Sequence, residues 1–397
     1  MQYIDQIPLK EKRVLIRVDF NVPMDSTQNV TDDTRVRAHL PTIGYAIEHQ
    51  AKVIVASHLG RPKGKRVEEL SLKPVAKVLS GLLGKEVAFV DDCVGEDAEK
   101  AVGALHAGDV MLLENLRFHP GEDKNDDEFA RQLARLCDIY IDDAFAVSHR
   151  AAASNTAITR FAADCGAGFL LKNEIEYFQR AMGDPARPLV AIIGGAKVSD
   201  KIGVLEKVIE KVDKLIVGGA MAFTFLKAKG YETGKSKCEE DMLDTARGIM
   251  EKAKRKNVSL YLPVDSVIAL APSADGEIKT CPVEEMPKEW MGLDIGPATT
   301  QLFTEALKGA KTIVWNGPLG MFELPSFSKG TFAVVRAVAN SGALTIVGGG
   351  DTDTAVHQAG ESHRISYIST GGGAFLEFLE GKTLPGVAAL ETCGGKQ

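Results

Sequence analysis

The chain has 397 residues, of which 45% are hydrophobic and 25% are charged, and 54 Asp+Glu against 47 Lys+Arg give a formal charge of −7. This composition excludes a disordered, collagen-like or coiled-coil protein, and the acidic balance argues against a nucleic-acid-coating protein, which is usually basic. No apolar run approaches the roughly 20 residues of a membrane span, and no signal-peptide pattern opens the chain. We therefore expect a cytoplasmic protein of two or three domains.

Short apolar runs rich in Val and Ile recur along the whole chain and are predicted to be strands. They are Arg13–Val18, Lys52–Ala56, Val110–Leu113, Ile139–Ile141, Leu189–Ile193, Lys214–Val217, Leu260–Pro263, Thr312–Val314, Leu344–Val347 and Ile365–Ile368. Most are apolar on both faces, which is typical of central parallel strands covered by helices.

Amphipathic segments between these runs are predicted to be helices, namely Leu72–Leu83, Asp126–Leu136, Asp200–Val212, Glu239–Lys254 and Phe327–Ala339. Alternating strands and helices predict an α/β fold with doubly wound parallel sheets, and about ten strands favour two sheets over one. The best boundary is Gly183–Pro188, where a glycine and two prolines follow the helical stretch Phe169–Met182. That helix is expected to join two lobes.

The six cysteines contain no C-x-x-C pair and are too sparse for a secreted disulfide framework. We therefore expect buried free thiols in a reducing compartment. They are Cys93, Cys137, Cys165, Cys238, Cys281 and Cys393.

Basic side chains collect after the predicted strands of the first half. Ligands of open parallel sheets bind beyond the carboxyl ends of the strands. Arginine matches phosphate and carboxylate oxygens with its planar fork, so this half predicts an anion pocket. The residues are Arg35, Arg37, Arg61, Arg117, Arg150, His58, His119 and His149.

Glycine-rich turns follow the strands of the second half, at Gly194–Lys197, Gly218–Ala220, Gly348–Thr352 and Gly371–Ala374. Glycine lets the backbone approach a phosphate closely, and the helix N-terminus that follows offers free N–H groups. Lys197 and Lys201 add charge, and Asp351 could hold Mg²⁺. These features predict a nucleotide site without a P-loop.

One segment, Gly230–Ser236, resembles a Walker A loop but has three residues between its glycines where four are required. It also follows a helical stretch and not a buried strand. We therefore assign it to a surface loop. An anion site and a nucleotide site on separate lobes together suggest phosphoryl transfer across a cleft that closes to exclude water.

Six motifs, in this order, resemble the phosphoglycerate kinase family. They are Arg17–Pro23 (RVDFNVP), Ser57–Pro62 (SHLGRP), Glu114–Phe118 (ENLRF), Gly194–Lys201 (GGAKVSDK), Trp315–Glu323 (WNGPLGMFE) and Gly348–Thr352 (GGGDT). The resemblance implies a monomer of two doubly wound, Rossmann-like lobes joined by an interdomain helix and a hinge. Its implied parts are a 3-phosphoglycerate lobe (1–168), the interdomain helix (169–184), an Mg-nucleotide lobe (185–375) and a segment returning to the first lobe (376–397).

The resemblance also implies the residues of each site. The substrate 3-phosphoglycerate, or 1,3-bisphosphoglycerate, would contact Asp19, Asn21, Arg35, His58, Leu59, Gly60, Arg61, Arg117 and Arg150. ATP or ADP would lie against Gly195, Lys201, Gly218, Gly219, Gly292, Leu293, Pro318, Glu323, Gly349, Gly350, Asp351 and Thr352, with Mg²⁺ at Asp351. The catalytic residues would be Arg35, Lys197, Lys201 and Gly350. Two positions depart from the family near Arg150: Ala146 replaces a glycine and Ala152 replaces a second histidine.

The chemistry of the residues agrees with this resemblance. The acceptor is a carboxylate, which is ionised at neutral pH and needs no general base. Two other classes remain open at this point. A hinged binding protein for a phosphorylated metabolite would explain the arginines but not the glycine turns with Lys201 and Asp351. A nicotinamide-dependent dehydrogenase would need a G-x-G-x-x-G motif after a strand, which the chain lacks.

Overall fold

The chain divides into two compact units in a computed structural model that describes residues 1–273 and 276–393. Unit 1 comprises Met1–Ile175 and the described residues from Thr383 onward, and unit 2 comprises Glu176–Lys382. The domain bounds implied by the family resemblance remain a prediction. Within the described residues, no helix combines the length and the apolar character needed to cross a membrane.

Unit 1 is built around six strands that pair in parallel. The strands are β1 (Arg13–Arg17), β2 (Lys52–Ala56), β3 (Val87–Val90), β4 (Val110–Leu113), β5 (Ile139–Asp142) and β6 (Asp164–Ala167), and their order in the sheet is β3-β4-β2-β1-β5-β6. The helices are α1 (Thr34–Glu48), α2 (Lys73–Leu83), α3 (Glu96–Gly103), α4 (Pro120–Asp123), α5 (Asp127–Arg135) and α6 (Phe169–Phe178). The boundary between the units falls inside α6, which continues as a π-helical turn, Gln179–Gly183.

The described residues of unit 2 form two sheets. Its strands are β7 (Leu189–Ile193), β8 (Lys214–Val217), β9 (Ser259–Tyr261), β10 (Asp265–Ala269), β11 (Ile278–Pro282), β12 (Met291–Ile295), β13 (Thr312–Asn316), β14 (Leu344–Gly348) and β15 (Tyr367–Ser369). Six of them form a parallel sheet in the order β15-β14-β13-β7-β8-β9, and the other three form an antiparallel sheet in the order β11-β10-β12. The helices are α7 (Ile202–Val208), α8 (Met221–Ala228), α9 (Leu243–Arg255), α10 (Pro297–Leu307), α11 (Lys329–Ala339), α12 (Gly350–Gln358) and α13 (Gly372–Leu379).

The local sequence explains why these elements form. Val14 and Ile16 of β1 are fully buried, as are Val36 and Ile43 of α1, so apolar strands and one helix face form the core of unit 1. Helix α5 begins after Asp126, whose carboxylate accepts the Phe129 N–H at 2.9 Å.

The α/β class with two doubly wound parallel sheets is confirmed. The antiparallel sheet was not predicted, and α7 is shorter than the predicted Asp200–Val212.

The last described helix, α14 (Pro385–Thr392), packs on β6 of unit 1. The Gly386 N–H donates to the Ser148 carbonyl at 3.0 Å. Cys393 forms a disulfide with Cys165, and the two Cα atoms are 5.9 Å apart. The prediction of free thiols is therefore wrong for this pair, because the two cysteines are 228 residues apart in sequence and only the fold brings them together. Residues 394–397 of the predicted returning segment lie outside the described residues.

Candidate functional site

The predicted anion-binding residues of unit 1 follow four strands that stand side by side. The sheet order β4-β2-β1-β5 brings the carboxyl ends of these strands to one edge, and the first turn of α1 joins them there. The residues at this edge are Asp19 and Asn21 after β1, His58–Arg61 after β2, Arg117 after β4, Arg150 after β5, and Arg35 from α1.

Hydrogen bonds join several of these groups directly. Arg35 donates to the Asp19 carboxylate. The Asn21 Oδ1 accepts the Gly60 N–H at 2.8 Å, and Arg117 Nη1 donates to the Gly60 carbonyl at 2.9 Å. The neighbouring Leu59 is buried. We call the set Asp19, Asn21, Arg35, His58, Gly60 and Arg117 the arginine site.

Two other residues that were predicted to bind the substrate, Arg61 and Arg150, have exposed side chains. Arg150 Nε lies 3.1 Å from His149 Nε2. Its loop is held by the fully buried Asn155, whose side-chain amide donates to the Val147 and Arg150 carbonyls at 3.1 and 2.9 Å. In the described part of the chain, no hydrogen bond or ion pair joins Arg61 to the arginine site, so its role remains a prediction.

His58 is a neutral imidazole at the centre of this charge. Burial lowers the pKa of His58 well below 6.5, and four cations lower it further, namely Arg17, Arg117, Arg35 and Arg150. The Arg17 guanidinium donates to His58 Nδ1 at 3.3 Å, which places the ring proton on Nε2. The site therefore offers an uncharged N–H donor among arginines. Arg17 was quoted only as part of a motif, although an arginine at the end of a buried strand is itself a signal.

Positive charges crowd this edge of the sheet. Burial lowers the pKa of Arg117 from 12.5, Asp123 offsets part of that effect, and Arg17 and Arg150 add to it by repulsion. A guanidinium still carries its charge at neutral pH. A bound anion would relieve this repulsion, which is the behaviour expected of a phosphate or carboxylate site.

Strand β5 ends on the fully buried Asp142, whose Oδ2 has no hydrogen-bond partner among the described residues. Burial raises the pKa of Asp142 to about 6, although the Ala144 N–H and Arg17 oppose the rise. A carboxyl whose pKa is higher in the folded than in the unfolded protein makes folding less favourable once it ionises. The loss of stability begins as the pH rises above the unfolded pKa, near 3.9, and is complete once the pH has passed the folded pKa. Two pKa units correspond to a weakening of about 3 kcal/mol.

We therefore expect Asp142→Asn to raise the melting temperature near pH 8 and to give a smaller increase as the pH falls toward 4. The uncharged amide carries no ionisation penalty, so the gain should follow the titration of Asp142. Thermal denaturation of both proteins across this pH range is the measurement. A difference in melting temperature that does not change with pH would show that Asp142 is not the titrating group.

The predicted nucleotide residues of unit 2 surround a cavity of about 450 Å³. Seven of them line it: Gly195, Gly219, Gly292, Leu293, Pro318, Glu323 and Asp351. Apolar side chains, among them Phe223 and Met291, complete the wall. We call this space the glycine cavity, and it has the size and the mixed lining of a small-molecule site.

Two glycine turns meet at the floor of the glycine cavity. Gly219 has a φ of +69°, and a Cβ there would lie 2.6 Å from the Gly195 carbonyl oxygen. A Cβ at Gly218 would lie 2.4 Å from Leu319 Cδ2, so a side chain there would require Leu319 to move. Only glycine at position 219 allows the two turns to pack backbone against backbone, and the Gly195 and Gly219 N–H groups donate to the Pro318 and Leu319 carbonyls at 3.1 and 3.2 Å.

Of the remaining predicted residues of unit 2, Gly349, Gly350 and Thr352 form the N-terminus of α12, and Lys201 lies close to it. Gly349, with a φ of +101°, precedes this helix, which begins at Gly350. The Thr352 hydroxyl accepts the Gly317 N–H at 2.7 Å, and Lys201 donates to Asn316 Oδ1. Burial lowers the pKa of Lys201, whereas Asp200, Asp351 and Glu380 raise it. Lys197 is exposed.

Asp351 is an exposed carboxylate on the wall of the glycine cavity. A carboxylate repels the phosphates of a nucleotide unless a cation lies between them, so its position fits Mg²⁺ held jointly with phosphate oxygens. Another set of possible metal ligands is the group Asp92, Cys93 and His119 in unit 1. Asp92 and His119 already bond to each other at 2.7 Å, and burial raises the pKa of Cys93 well above 9.0, so this group fits a bonded structural cluster.

Two features of unit 2 differ from what the sequence indicated. The loop Gly230–Ser236, assigned to the surface, has Thr233 and Ser236 buried, and Lys235 lines the glycine cavity. It lies there because the Gly292 N–H donates to Ser236 Oγ at 2.9 Å. Asp294 was not singled out, yet it also lines the cavity, and burial raises its pKa to about 7.

Comparison with known proteins identifies the family to which the chain belongs. The family model described as "Phosphoglycerate kinase" matches residues 4–382. The chain belongs to the phosphoglycerate kinase family. The resemblance seen in the six motifs is thereby confirmed, and a nicotinamide-dependent dehydrogenase or a binding protein without kinase activity is no longer needed to explain the site.

Relatives in this family cover the whole chain. The phosphoglycerate kinase of Geotalea uraniireducens is 61% identical over 397 residues, which is 100% of both chains. That of Geobacter metallireducens is 61% identical over 395 residues, which is 99% of both. The solved phosphoglycerate kinase from Coxiella burnetii is 46% identical, with a TM-score of 0.91 over 98% of both chains. The one from Pyrococcus horikoshii is 33% identical, with a TM-score of 0.84 over 100% of both.

Proposed function

We propose that the chain transfers a phosphoryl group reversibly between 1,3-bisphosphoglycerate and ADP, giving 3-phosphoglycerate and ATP, as a phosphoglycerate kinase of glycolysis and gluconeogenesis. The observation that carries the proposal is the arginine site, where Arg35, Arg117 and the neutral His58 converge in unit 1 of a chain of this family. In the proposal, 3-phosphoglycerate binds there, because guanidinium groups pair with both its phosphate and its carboxylate.

The glycine cavity of unit 2 is proposed to hold ATP or ADP. Apolar side chains such as Phe223 and Leu293 offer a surface for the base, and the turns at Gly195 and Gly219, which carry no side chain, allow the nucleotide to approach the backbone closely. The N-terminus of α12 and the Lys201 ammonium add positive potential. When bound, Mg²⁺ neutralises phosphate charge, and Asp351 is the carboxylate proposed to hold it.

The proposed chemistry asks the protein for charge stabilisation and not for a base. The attacking carboxylate of 3-phosphoglycerate is ionised at neutral pH. Charge on the moving phosphoryl group must be offset, and we assign this task to Arg35, Lys197, Lys201 and the Gly350 N–H. Arg35 is suited to it because Asp19 orients its guanidinium while its side chain stays partly exposed, at 41%.

Several parts of the proposal rest on chemistry alone. The transfer requires donor and acceptor to approach within about 3–3.5 Å, so closure of the two units, expected from the sequence, remains a prediction. A monomer is likewise proposed, because the family resemblance implies one. A cytoplasmic protein that binds neither nucleic acid nor membrane is proposed from the composition and acidic charge.

The decisive experiment incubates the purified protein with ATP, Mg²⁺ and 3-phosphoglycerate and follows ADP release. We expect saturable turnover that falls to background when glycerate replaces 3-phosphoglycerate, because glycerate lacks the phosphate that the arginines bind. ADP release that does not depend on 3-phosphoglycerate would contradict the proposal. Calorimetric binding of 3-phosphoglycerate without any turnover would favour a binding protein.

A further inference from the structure

His39 is a buried histidine that the proposed chemistry does not use. It lies one turn after Arg35 on α1, and only 2% of its surface is exposed. The Asp19 backbone N–H donates to its Nε2 at 2.9 Å, and its Nδ1 lies 2.9 Å from Asp143 Oδ2. Both ring nitrogens therefore have partners inside the protein.

The donors and acceptors fix the tautomer of His39. A backbone N–H can only donate, so Nε2 must present its lone pair to Asp19. The ring proton then sits on Nδ1 and is donated to the Asp143 carboxylate. The T-shaped contact with the Phe20 ring, with centroids 5.8 Å apart, further restricts the imidazole.

Asp143, the partner of His39, also bonds to the start of α6. Its Oδ1 accepts the backbone N–H groups of Leu170 and Leu171 at 2.9 and 3.3 Å. Asp143 is fully buried, and a side chain at Gly168 would collide with it, so the carboxylate has little freedom to move. The N-terminal turn of α6 is therefore tied to Asp143.

Helix α1 thus holds Asp19 at two points. Arg35 bonds to its carboxylate, and His39, four residues later on the same helix face, bonds to its backbone N–H. We infer that His39 is a positioning residue that orients Asp19 for the substrate and, through Asp143, ties that orientation to the first turn of α6. This inference rests on the proposed function, because it takes Asp19 as a substrate-binding residue.

The kinetic test compares two replacements of His39. His39→Leu keeps much of the volume but removes both hydrogen bonds, and we expect kcat/KM for 3-phosphoglycerate to fall about ten-fold or more. His39→Gln keeps one acceptor and one donor in the side chain and should restore most of the loss. MgADP affinity, measured by calorimetry, should stay at the wild-type value in both, since the glycine cavity belongs to unit 2.

Thr42→Val is the matched control for general loosening. Thr42 lies on the same helix, three residues after His39, and its hydroxyl accepts the Phe169 N–H at 2.9 Å. Its loss weakens the start of α6 without touching Asp19. We expect Thr42→Val to lower the melting temperature while kcat/KM stays near wild type. An equal loss of kcat/KM in Thr42→Val and His39→Leu would overturn the inference.

Hydrogen exchange tests the link to α6 directly. With 3-phosphoglycerate at saturation, we expect exchange of the amides in Leu170–Ile175 to slow in the wild type and not in His39→Leu. The same slowing in both proteins, or none in the wild type, would overturn the link. If the wild type does not bind 3-phosphoglycerate in the calorimeter, the proposed function fails instead, so the two failures are distinguishable.

Discussion

Arg35→Ala should lower kcat by about 10²–10³ and change the KM for either substrate far less. In the proposal, Arg35 acts on charge that develops during transfer, and an interaction made only in the transition state contributes little to ground-state binding. The substitution should not disorder its surroundings. The Asp19 carboxylate still accepts the Asn21 N–H at 3.2 Å, and the Asp19 N–H still donates to His39.

Arg37→Ala is the matched control for Arg35→Ala. Arg37 was predicted for the anion pocket, but it lies two residues later on α1, its side chain is 59% exposed, and it pairs with Asp33, the residue before the helix. Exposed pairs of this kind contribute little to stability, so we expect wild-type kcat and KM. Steady-state kinetics in both directions is the measurement. A normal kcat with a raised KM for 3-phosphoglycerate would make Arg35 a binding residue only.

The sequence predicts the central strands well because burial on both faces leaves a continuous apolar run. β7 and β8 are examples, and their predicted bounds match the structure. Two of the missed strands, β6 and β11, have other patterns, whereas β3 was missed although it reads Val-Ala-Phe-Val. β6 reads Asp-Cys-Gly-Ala, which has low strand propensity, and β11 is exposed at four of its five residues. β6 pairs with β5 and β11 pairs with β10, and the periodicity of a single segment does not reveal such pairing.

The candidate site also contains some residues that the sequence reveals and others that it does not. Residues directly after a strand, such as His58 and Asp351, can be found from the sequence, since parallel strand ends share one edge. Residues that act through another side chain cannot. His39 lies in the middle of an amphipathic helix and reads as an ordinary core residue, and Asn316 gains meaning only from its bond to Lys201, 115 residues away. Such partners are fixed by tertiary contacts and not by local spacing.

Asp351→Asn should weaken MgADP and MgATP binding about ten-fold or more and leave 3-phosphoglycerate affinity near wild type. The carboxylate is proposed to hold Mg²⁺, and an amide is a far poorer ligand for that cation. Without Mg²⁺, the effect of the substitution on ADP affinity should have the opposite sign. The Asp351 charge then repels the phosphates of free ADP, so the variant should bind free ADP as tightly as wild type or more tightly.

Calorimetry with ADP, in Mg²⁺ and then in chelator, measures both effects on one protein. Asp353→Asn is the matched control, because Asp353 lies on the same turn of α12 and is not among the described residues that line the glycine cavity. The ratio of the ADP affinity in Mg²⁺ to the ADP affinity in chelator should fall toward one in Asp351→Asn and stay at the wild-type value in Asp353→Asn. Because a general distortion of the cavity weakens ADP with and without the metal alike, an unchanged ratio in Asp351→Asn would remove the carboxylate from the metal site.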